Sequence, residues 1–132
     1  MKITADTSLL LRGAVGDHPR QARSAAQVLR TAELIAVPIP ALCEFVWVMR
    51  QGYKRPAAEI AQSIHSLLGS PHVVTNQPAA EVGLAVLEAG GDFADGAIAY
   101  EGNWLGAEEF VSFDRKAVSL LQSQGKRARA LS

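Results

Sequence analysis

Short apolar segments alternate with helical segments along nearly the whole chain, and this alternation restricts the possible folds more than any other feature. The segment 33–39 (ELIAVPI) is apolar and β-branched, as buried strands are. Strands that alternate with helices are typical of a parallel sheet covered on both faces. We therefore predict an α/β fold with a mostly parallel central sheet of four to five strands. The predicted strands are 2–6, 33–39, 72–75 and 110–113, with an edge strand in the tail 126–132, and the predicted helices are 8–15, 19–31, 40–51, 56–68, 78–89, 93–105 and 115–124.

Size and composition fit one globular domain, 1–132, in which 48% of the residues are hydrophobic and 20% are charged. Thirteen basic side chains balance thirteen acidic ones, so net charge gives no general attraction to nucleic acid, although a local field is not excluded. No apolar run is long enough for a transmembrane helix, and the first residues lack the apolar core of a signal peptide. Cys43 stands alone, so no internal disulfide is expected and we predict a cytoplasmic protein without a membrane partner.

Glu44 is the acid that is hardest to explain from sequence. Around it, the segment 40–51 (PALCEFVWVMRQ) is apolar on nearly every side, so this helix is expected to be covered almost all round. Burial of an ionised carboxylate costs several kcal/mol or more unless a cation compensates it. Glu44 is therefore expected to face a pocket that supplies a cation, or else to reach solvent beside Gln51.

Other acids are predicted to lie near the edge of the sheet where parallel strands end, which is where ligands bind in open α/β sheets. Asp6 ends the first strand and Asp114 follows the strand 110–113. Asp95 lies in the first turn of the helix 93–105, with Asp92 three residues earlier on the same face. Glu44 lies about one turn into the helix after the second strand. Four carboxylates from distant segments could therefore meet.

Carboxylates that meet repel one another, and a hard divalent cation removes that conflict. Ligands that are all oxygen atoms favour Mg²⁺ or Mn²⁺ over zinc. Such ions can position a phosphate and activate a water, which points to phosphodiester hydrolysis. The competing interpretation is helix capping, since Asp6, Asp92 and Asp114 each precede a helix and Asp95 suits a helix dipole.

The chain resembles the PIN-domain ribonucleases, in particular the VapC-like toxins of toxin–antitoxin pairs, over its whole length. The start Asp6-Thr7-Ser8 resembles the family's DT(N/S) motif, and 41–44 (ALCE) resembles the helix that carries its glutamate. The most specific piece is 92–99 (DFADGAIA), which is similar to the family's D-F-A-D-A-x-I-A stretch, and 111–114 (VSFD) is similar to its T-x-D strand end. Gly96 stands where alanine is commoner, which weakens the helix start by up to about 1 kcal/mol.

The resemblance implies a three-layer α/β/α PIN-like domain and a metal-dependent endoribonuclease that cleaves RNA with a metal-activated water. It implies that Mg²⁺ or Mn²⁺ is held by a catalytic quartet, supported by three auxiliary polar residues. The quartet is Asp6, Glu44, Asp95 and Asp114, and the auxiliary residues are Asp92, Ser8 and Ser112. Members of the family usually form homodimers, and a small antitoxin protein inhibits them.

Arg12 and Arg115 each follow a predicted site acid closely and are candidates for binding RNA phosphates, although solvated helix faces are the commoner place for arginine. Trp47 and Trp104 could stack on bases, but packing in the core or in a dimer is the expectation we favour. Two other functions stay open. One is a non-catalytic PIN-like module for dimerisation or partner binding, and the other is an Asp-dependent α/β phosphatase, for which Ser8 stands where a second Asp is wanted.

Overall fold

The structure, a computed structural model, describes all 132 residues as seven helices and five short strands. In chain order the elements are β1 (Lys2–Thr4), α1 (Thr7–Ala14), α2 (Pro19–Thr31), β2 (Leu34–Ala36), α3 (Ile39–Gln51), α4 (Ala57–Leu68), β3 (Val73–Val74), α5 (Gln77–Glu88), α6 (Phe93–Trp104), β4 (Phe110–Ser112), α7 (Arg115–Ser123) and β5 (Ala128–Ala130). They divide into two compact units, Met1–Gln77 and Pro78–Ser132. No helix combines the length and the apolar character needed to cross a membrane.

The first unit contains a parallel sheet of three strands in the order β1-β2-β3. Thr4 lies opposite Ala36, and Ala36 lies opposite Val74, so the three strands end at one edge. The ladder continues past β1, because the Ala5 amide donates to the Ala36 carbonyl at 2.9 Å. Asp6 and the beginning of α3 therefore lie at the same edge of this sheet.

Helix α3 supplies much of the core of the first unit. Leu42, Val46 and Met49 recur at i, i+4 and i+7 and are at most 2% exposed. Pro38 and Pro40 flank the first helical residue, where proline is tolerated because the first amides of a helix have no partner within it. On α4, which contacts α3, Ile60 and Ile64 are buried as well.

The second unit is built on the parallel pair β4-β5, with Phe110 opposite Ala128. Helix α7 packs on both strands. The buried residues of this core are Val86, Ala99, Val118, Leu121 and Ala128, with Phe110 and Leu120 packed against them. The edge strand predicted in the basic tail is thus confirmed as β5.

Two glycines allow α5 and α6 to approach closely inside the second unit. A Cβ atom on Gly96 would lie 2.5 Å from the Val82 carbonyl oxygen and 2.8 Å from the Gly83 Cα. A Cβ atom on Gly83 would lie 2.7 Å from the ring of Phe93, which is fully buried. Gly96, which the sequence suggested only weakens its helix, is therefore required by the packing of α6 on α5.

The prediction of an α/β chain with parallel strands is confirmed, and the helices begin and end within two residues of the predicted positions. The single sheet of four to five strands is not seen, because the strands form one sheet of three and one of two. Strands of two or three residues make few ladder hydrogen bonds, so alternation in the sequence could not fix how they associate. The expectation that α3 is covered almost all round is wrong, since Trp47 on this helix is 63% exposed.

Candidate functional site

Asp6 lies two residues beyond β1 and caps α1 with its side chain. Its Oδ1 accepts hydrogen bonds from the backbone N–H of Leu9 at 3.0 Å and from the Ser8 hydroxyl at 2.8 Å. The Leu9 amide and then the Ser8 hydroxyl stabilise the anion and lower the pKa of Asp6 below its ordinary value. Ser8 therefore supports Asp6 directly. The Asp6 side chain is exposed, so a ligand can reach it.

Glu44 is exposed on the outer face of α3, together with Trp47 and Gln51. These positions recur at i, i+3 and i+7, opposite the buried stripe of the helix. The buried charge inferred from the apolar sequence around Glu44 does not exist, and exposure on the Gln51 side is what the structure shows. Because the carboxylate reaches solvent, it needs no compensating cation for stability. It is equally accessible to a ligand.

Asp92 and Asp95 lie at the beginning of α6. The Asp92 side chain caps the helix by accepting from the Ala94 amide at 3.3 Å, and its carbonyl accepts from the Asp95 amide at 3.1 Å. Asp95 is half-buried. Its pKa is raised above the ordinary value first by burial, which penalises the charged form, and then by the negative charges of Asp92 and Asp114. The second unit therefore brings Asp92 and Asp114 close enough to Asp95 for their charges to act on it.

Asp114 follows β4 and caps α7, accepting from the Ala117 amide at 3.0 Å. The Ser112 hydroxyl oxygen accepts from the Asp114 amide at 2.9 Å and fixes the turn between the strand and the helix. Ser112 thus orients the backbone that carries Asp114.

Helix capping accounts for part of the predicted site. Asp6, Asp92 and Asp114 each accept an amide hydrogen bond at a helix start, so the capping interpretation is confirmed for these three acids. Asp95 and Glu44 accept no such bond and are not helix caps. Asp95 is the acid whose ionisation the surrounding fold opposes, and capping offers no reason for that.

The donor chemistry fits a hard cation better than any other cofactor. Asp92, Asp95 and Asp114 offer only carboxylate oxygens, and a divalent ion would relieve the repulsion that Asp92 and Asp114 exert on Asp95. Neither unit by itself arranges three or more acidic, histidine or cysteine side chains as a ready metal site. The predicted quartet takes Asp6 and Glu44 from the first unit and Asp95 and Asp114 from the second.

The two candidate arginines differ in their surroundings. Arg12 donates to Gln21 at 2.7 Å, to Asp17 at 3.2 Å and to the Tyr53 hydroxyl at 3.1 Å. Its guanidinium therefore holds α1, α2 and the segment after α3 together within the first unit. Arg115 is exposed directly after Asp114 at the start of α7. Of the two, Arg115 is better placed to meet a phosphate.

An apolar cavity in the first unit was not anticipated from the sequence. It has a volume of about 560 Å³, within the range of small-molecule pockets, and contains none of the quartet. Leu10, Leu29 and Phe45 form its apolar wall, while Glu59 on α4 lies at its polar side and pairs with Arg55 at 2.7 Å. Gly13, inside α1, also lines this cavity. A glycine inside the predicted helix 8–15 is the one sequence signal for this cavity.

Comparison with known proteins assigns neither a family nor a function to the chain. No protein family matches the chain, and no curated protein is significantly similar to it.

Proposed function

We propose that the chain is a metal-dependent endoribonuclease of the PIN type, the toxin of a toxin–antitoxin pair. In this proposal residues 1–132 form a single three-layer α/β/α domain. Asp6, Glu44, Asp95 and Asp114 hold Mg²⁺ or Mn²⁺, and Asp92, Ser8 and Ser112 support them. The further proposals are an RNA substrate, a cognate antitoxin protein, a homodimer and a cytoplasmic location.

The observation that carries the proposal is the raised pKa of Asp95, which burial and the charges of Asp92 and Asp114 cause together. Asp95 is not needed to cap α6, and its partial burial near the charges of Asp92 and Asp114 costs stability. Perturbed acids of this kind are typical of functional sites, where a substrate or a metal compensates them. The matching placement of Asp6 beyond β1 and Asp114 beyond β4, each directly before a helix, also supports it.

A bound divalent ion would polarise a phosphoryl oxygen and lower the pKa of a water molecule. The protein's own residues contribute the rest. Asp6 stays ionised because the Leu9 amide and the Ser8 hydroxyl stabilise its charge. Asp95, whose ionisation is opposed by burial and by the charges of Asp92 and Asp114, is the carboxylate that a bound cation would stabilise most. Ser112 holds the turn that presents Asp114, and Arg115 next to it is placed to contact a phosphate of the substrate.

A non-catalytic binding module is the second candidate, because capping already explains Asp6, Asp92 and Asp114. The two functions differ in what Asp→Asn substitutions do. Asparagine caps a helix about as well as aspartate, so these changes spare the fold while they remove a metal ligand.

The deciding experiment measures cleavage of total RNA with Mg²⁺ or Mn²⁺ by the wild-type chain and by Asp95→Asn and Asp114→Asn variants. We expect each substitution to reduce the rate more than about 100-fold, beyond the 10–100-fold effect of a residue that only orients a ligand. The matched control is Glu33→Gln, since Glu33 lies at the opposite end of β2 and pairs with the N-terminal amine at 3.1 Å. An inactive wild-type protein, or full activity in excess chelator, would refute the metal mechanism.

A further inference from the structure

The apolar cavity of about 560 Å³ in the first unit separates two groups of helices. Helices α1 and α2 pack on each other, whereas α4 packs on α3 and β3, and residues of α1, α2 and α4 line the space between them. Leu10, Ile35 and Phe45 form the floor of the cavity and are 5%, 2% and 4% exposed. A floor so little exposed can be contacted only by a ligand narrow enough to enter between the helices. The cavity therefore suits a small molecule, in agreement with its volume.

The side of the cavity that α1 and α2 form carries no hydrogen-bonding side chain. Gly13 and Ala14 line it from α1, and Leu29 lines it from α2. A Cβ atom on Gly13 would lie 3.0 Å from the Leu29 Cδ1 atom, so a larger residue there would displace the Leu29 side chain. Glycine is unfavourable inside a helix, and here it keeps the wall of the cavity open. A ligand meets only apolar side chains on this side.

Helix α4 forms the opposite, polar side of the cavity. Four polar residues share one face of this helix, since they recur at i, i+3, i+4 and i+7, and all of them line the cavity: Glu59, Gln62, Ser63 and Ser66. The Ser63 hydroxyl donates to the Glu59 carbonyl at 3.3 Å, and its oxygen can still accept. The side chains of Gln62 and Ser66 form no hydrogen bond within the chain, and neither does that of Ser70, which also lines the cavity. Polar groups without a partner in the chain thus converge on one side of an otherwise apolar space.

Charge restricts the ligand further. Glu59 is the only charged residue that lines the cavity, and Arg55 pairs with it at 2.7 Å, so the lining offers no unpaired cation. An anionic ligand would face the Glu59 carboxylate, and a cationic ligand would have to compete with Arg55. A charge that leaves water for an apolar space without a partner is strongly penalised. An uncharged ligand carries no such penalty.

We propose that this cavity binds an uncharged small molecule whose apolar body lies on the floor and against α1 and α2, and whose hydroxyl, carbonyl or amide groups face α4. An apolar pocket with a few convergent polar groups is the usual form of such a site, in which the polar groups fix the orientation of the ligand. The cavity contains none of the acids of the proposed metal site. The proposal therefore goes beyond the proposed function and does not depend on it.

The test uses two dyes that differ only in charge. N-phenylnaphthylamine is uncharged and carries one N–H group, and anilinonaphthalene sulfonate is the same ring system with an added sulfonate. Both fluoresce more strongly in apolar surroundings, so the protein is titrated into a fixed concentration of each dye. We expect one molecule of the uncharged dye per chain, with a Kd on the order of 100 µM or tighter. The sulfonate should bind more than about 10-fold more weakly, because the cavity offers its charge no cation.

Two substitutions block the cavity from opposite sides. Ser63→Phe places a ring inside it from α4, and Ala14→Phe places one from an exposed position of α1, where the fold should tolerate the change. Each should weaken binding of the uncharged dye by more than about 10-fold. The matched control is Ser119→Phe, which adds the same ring to an exposed position of α7 outside the cavity and should leave binding within about twofold. Melting temperatures show which variants keep the fold, and Ala14→Phe suffices if Ser63→Phe does not.

The double variant Gln62→Ala/Ser66→Ala tests the polar side of the cavity. It removes two hydrogen-bonding groups without filling the space, so the uncharged dye should bind about 2- to 10-fold more weakly. Unchanged affinity would overturn the assignment of α4 as the side that orients the ligand.

Three further outcomes contradict the proposal. Equal binding by the wild-type protein and the blocking variants would show that the dye binds elsewhere on the chain. Equal affinities for the two dyes would overturn the uncharged class of ligand. Loss of dye binding as the protein concentration rises, together with a dimer in sedimentation, would show that a second copy of the chain covers the cavity. Preference for the uncharged dye, with weaker binding by the blocking variants and normal binding by Ser119→Phe, supports the proposal.

Discussion

Helix α1 in the first unit and helix α6 in the second both begin at an aspartate, but the fold treats the acids at these two helix starts in opposite ways. Asp6 at α1 is exposed and receives two hydrogen bonds to Oδ1, and its pKa is lowered. Asp95 at α6 is half-buried near two further acids, and its pKa is raised. A carboxylate of the first kind is explained by folding alone. One of the second kind costs stability, which is why the proposed function places a ligand at α6.

The close packing of α6 on α5 contributes to the difference between Asp95 and Asp6. Gly96→Ala tests this packing and has the largest expected effect on stability. The new methyl group would lie 2.5 Å from the Val82 carbonyl, so the backbone of α5 or α6 must shift. We expect a loss of about 1–3 kcal/mol in the free energy of unfolding, despite the better helix propensity of alanine. Urea denaturation measures this value.

Gly102→Ala on the same helix is the control for that experiment. No atom lies within 4 Å of its added Cβ, so only helix propensity changes and the protein should gain about 0.5–1 kcal/mol. If both substitutions shift stability in the same direction, close packing of α6 on α5 is not what holds Asp95 in place.

Asp114 caps α7, and its negative charge raises the pKa of Asp95. Two substitutions separate these two effects. Asp114→Ala removes the cap and should destabilise the protein by about 0.5–2 kcal/mol. Asp114→Asn keeps a capping oxygen and removes only the charge, so stability should change by no more than a few tenths of a kcal/mol. In this variant the pKa of Asp95 should fall, which NMR titration of the side-chain carboxyl measures. An unchanged Asp95 pKa would show that Asp114 does not act on it.

The smallest expected effect is the dependence of stability on pH. The ionisation of Asp6 and the ionisation of Asp95 should change stability in opposite directions. The lowered pKa of Asp6 stabilises the fold above the ordinary aspartate pKa, and this contribution is lost as pH falls through the folded value. The raised pKa of Asp95 destabilises the fold above the folded value, and this penalty disappears as pH falls below the ordinary one. In chelator at pH 7, Asp6→Asn should therefore lower the melting temperature and Asp95→Asn should raise it.

For Asp95→Asn we expect a rise of a few degrees at most, less than about 1 kcal/mol for a chain of this size. Both differences should shrink when the protein is melted at a pH below the ordinary aspartate pKa. Addition of Mn²⁺ should stabilise the wild-type protein more than Asp95→Asn. In the wild-type protein the ion relieves the repulsion at Asp95, whereas the substitution has already removed that repulsion together with the carboxylate. A destabilised Asp95→Asn variant at pH 7 would contradict the assigned cause of the raised pKa.

The sequence by itself determined the local structure. Hydrophobic spacing, prolines at helix starts and apolar β-branched segments predicted the helices and strands, because these signals act over a few residues. The same local chemistry placed Asp6, Asp92 and Asp114 at helix starts, where each now accepts an amide hydrogen bond. The hydrogen bonds of Ser8 to Asp6 and of Ser112 to Asp114 are local as well, since each joins residues two positions apart.

Tertiary structure decided what depends on distant neighbours. Apolar residues around Glu44 suggested burial, but only packing shows which face of α3 is covered, and Glu44 lies on the open one. Helix propensity makes Gly96 unfavourable in α6, but the close approach of α5 leaves no room for a Cβ atom at that position. Strand association and the field at Asp95 likewise arise from segments that are far apart in the chain. Burial and charge depend on everything within reach of a side chain, and sequence neighbours are only a small part of that.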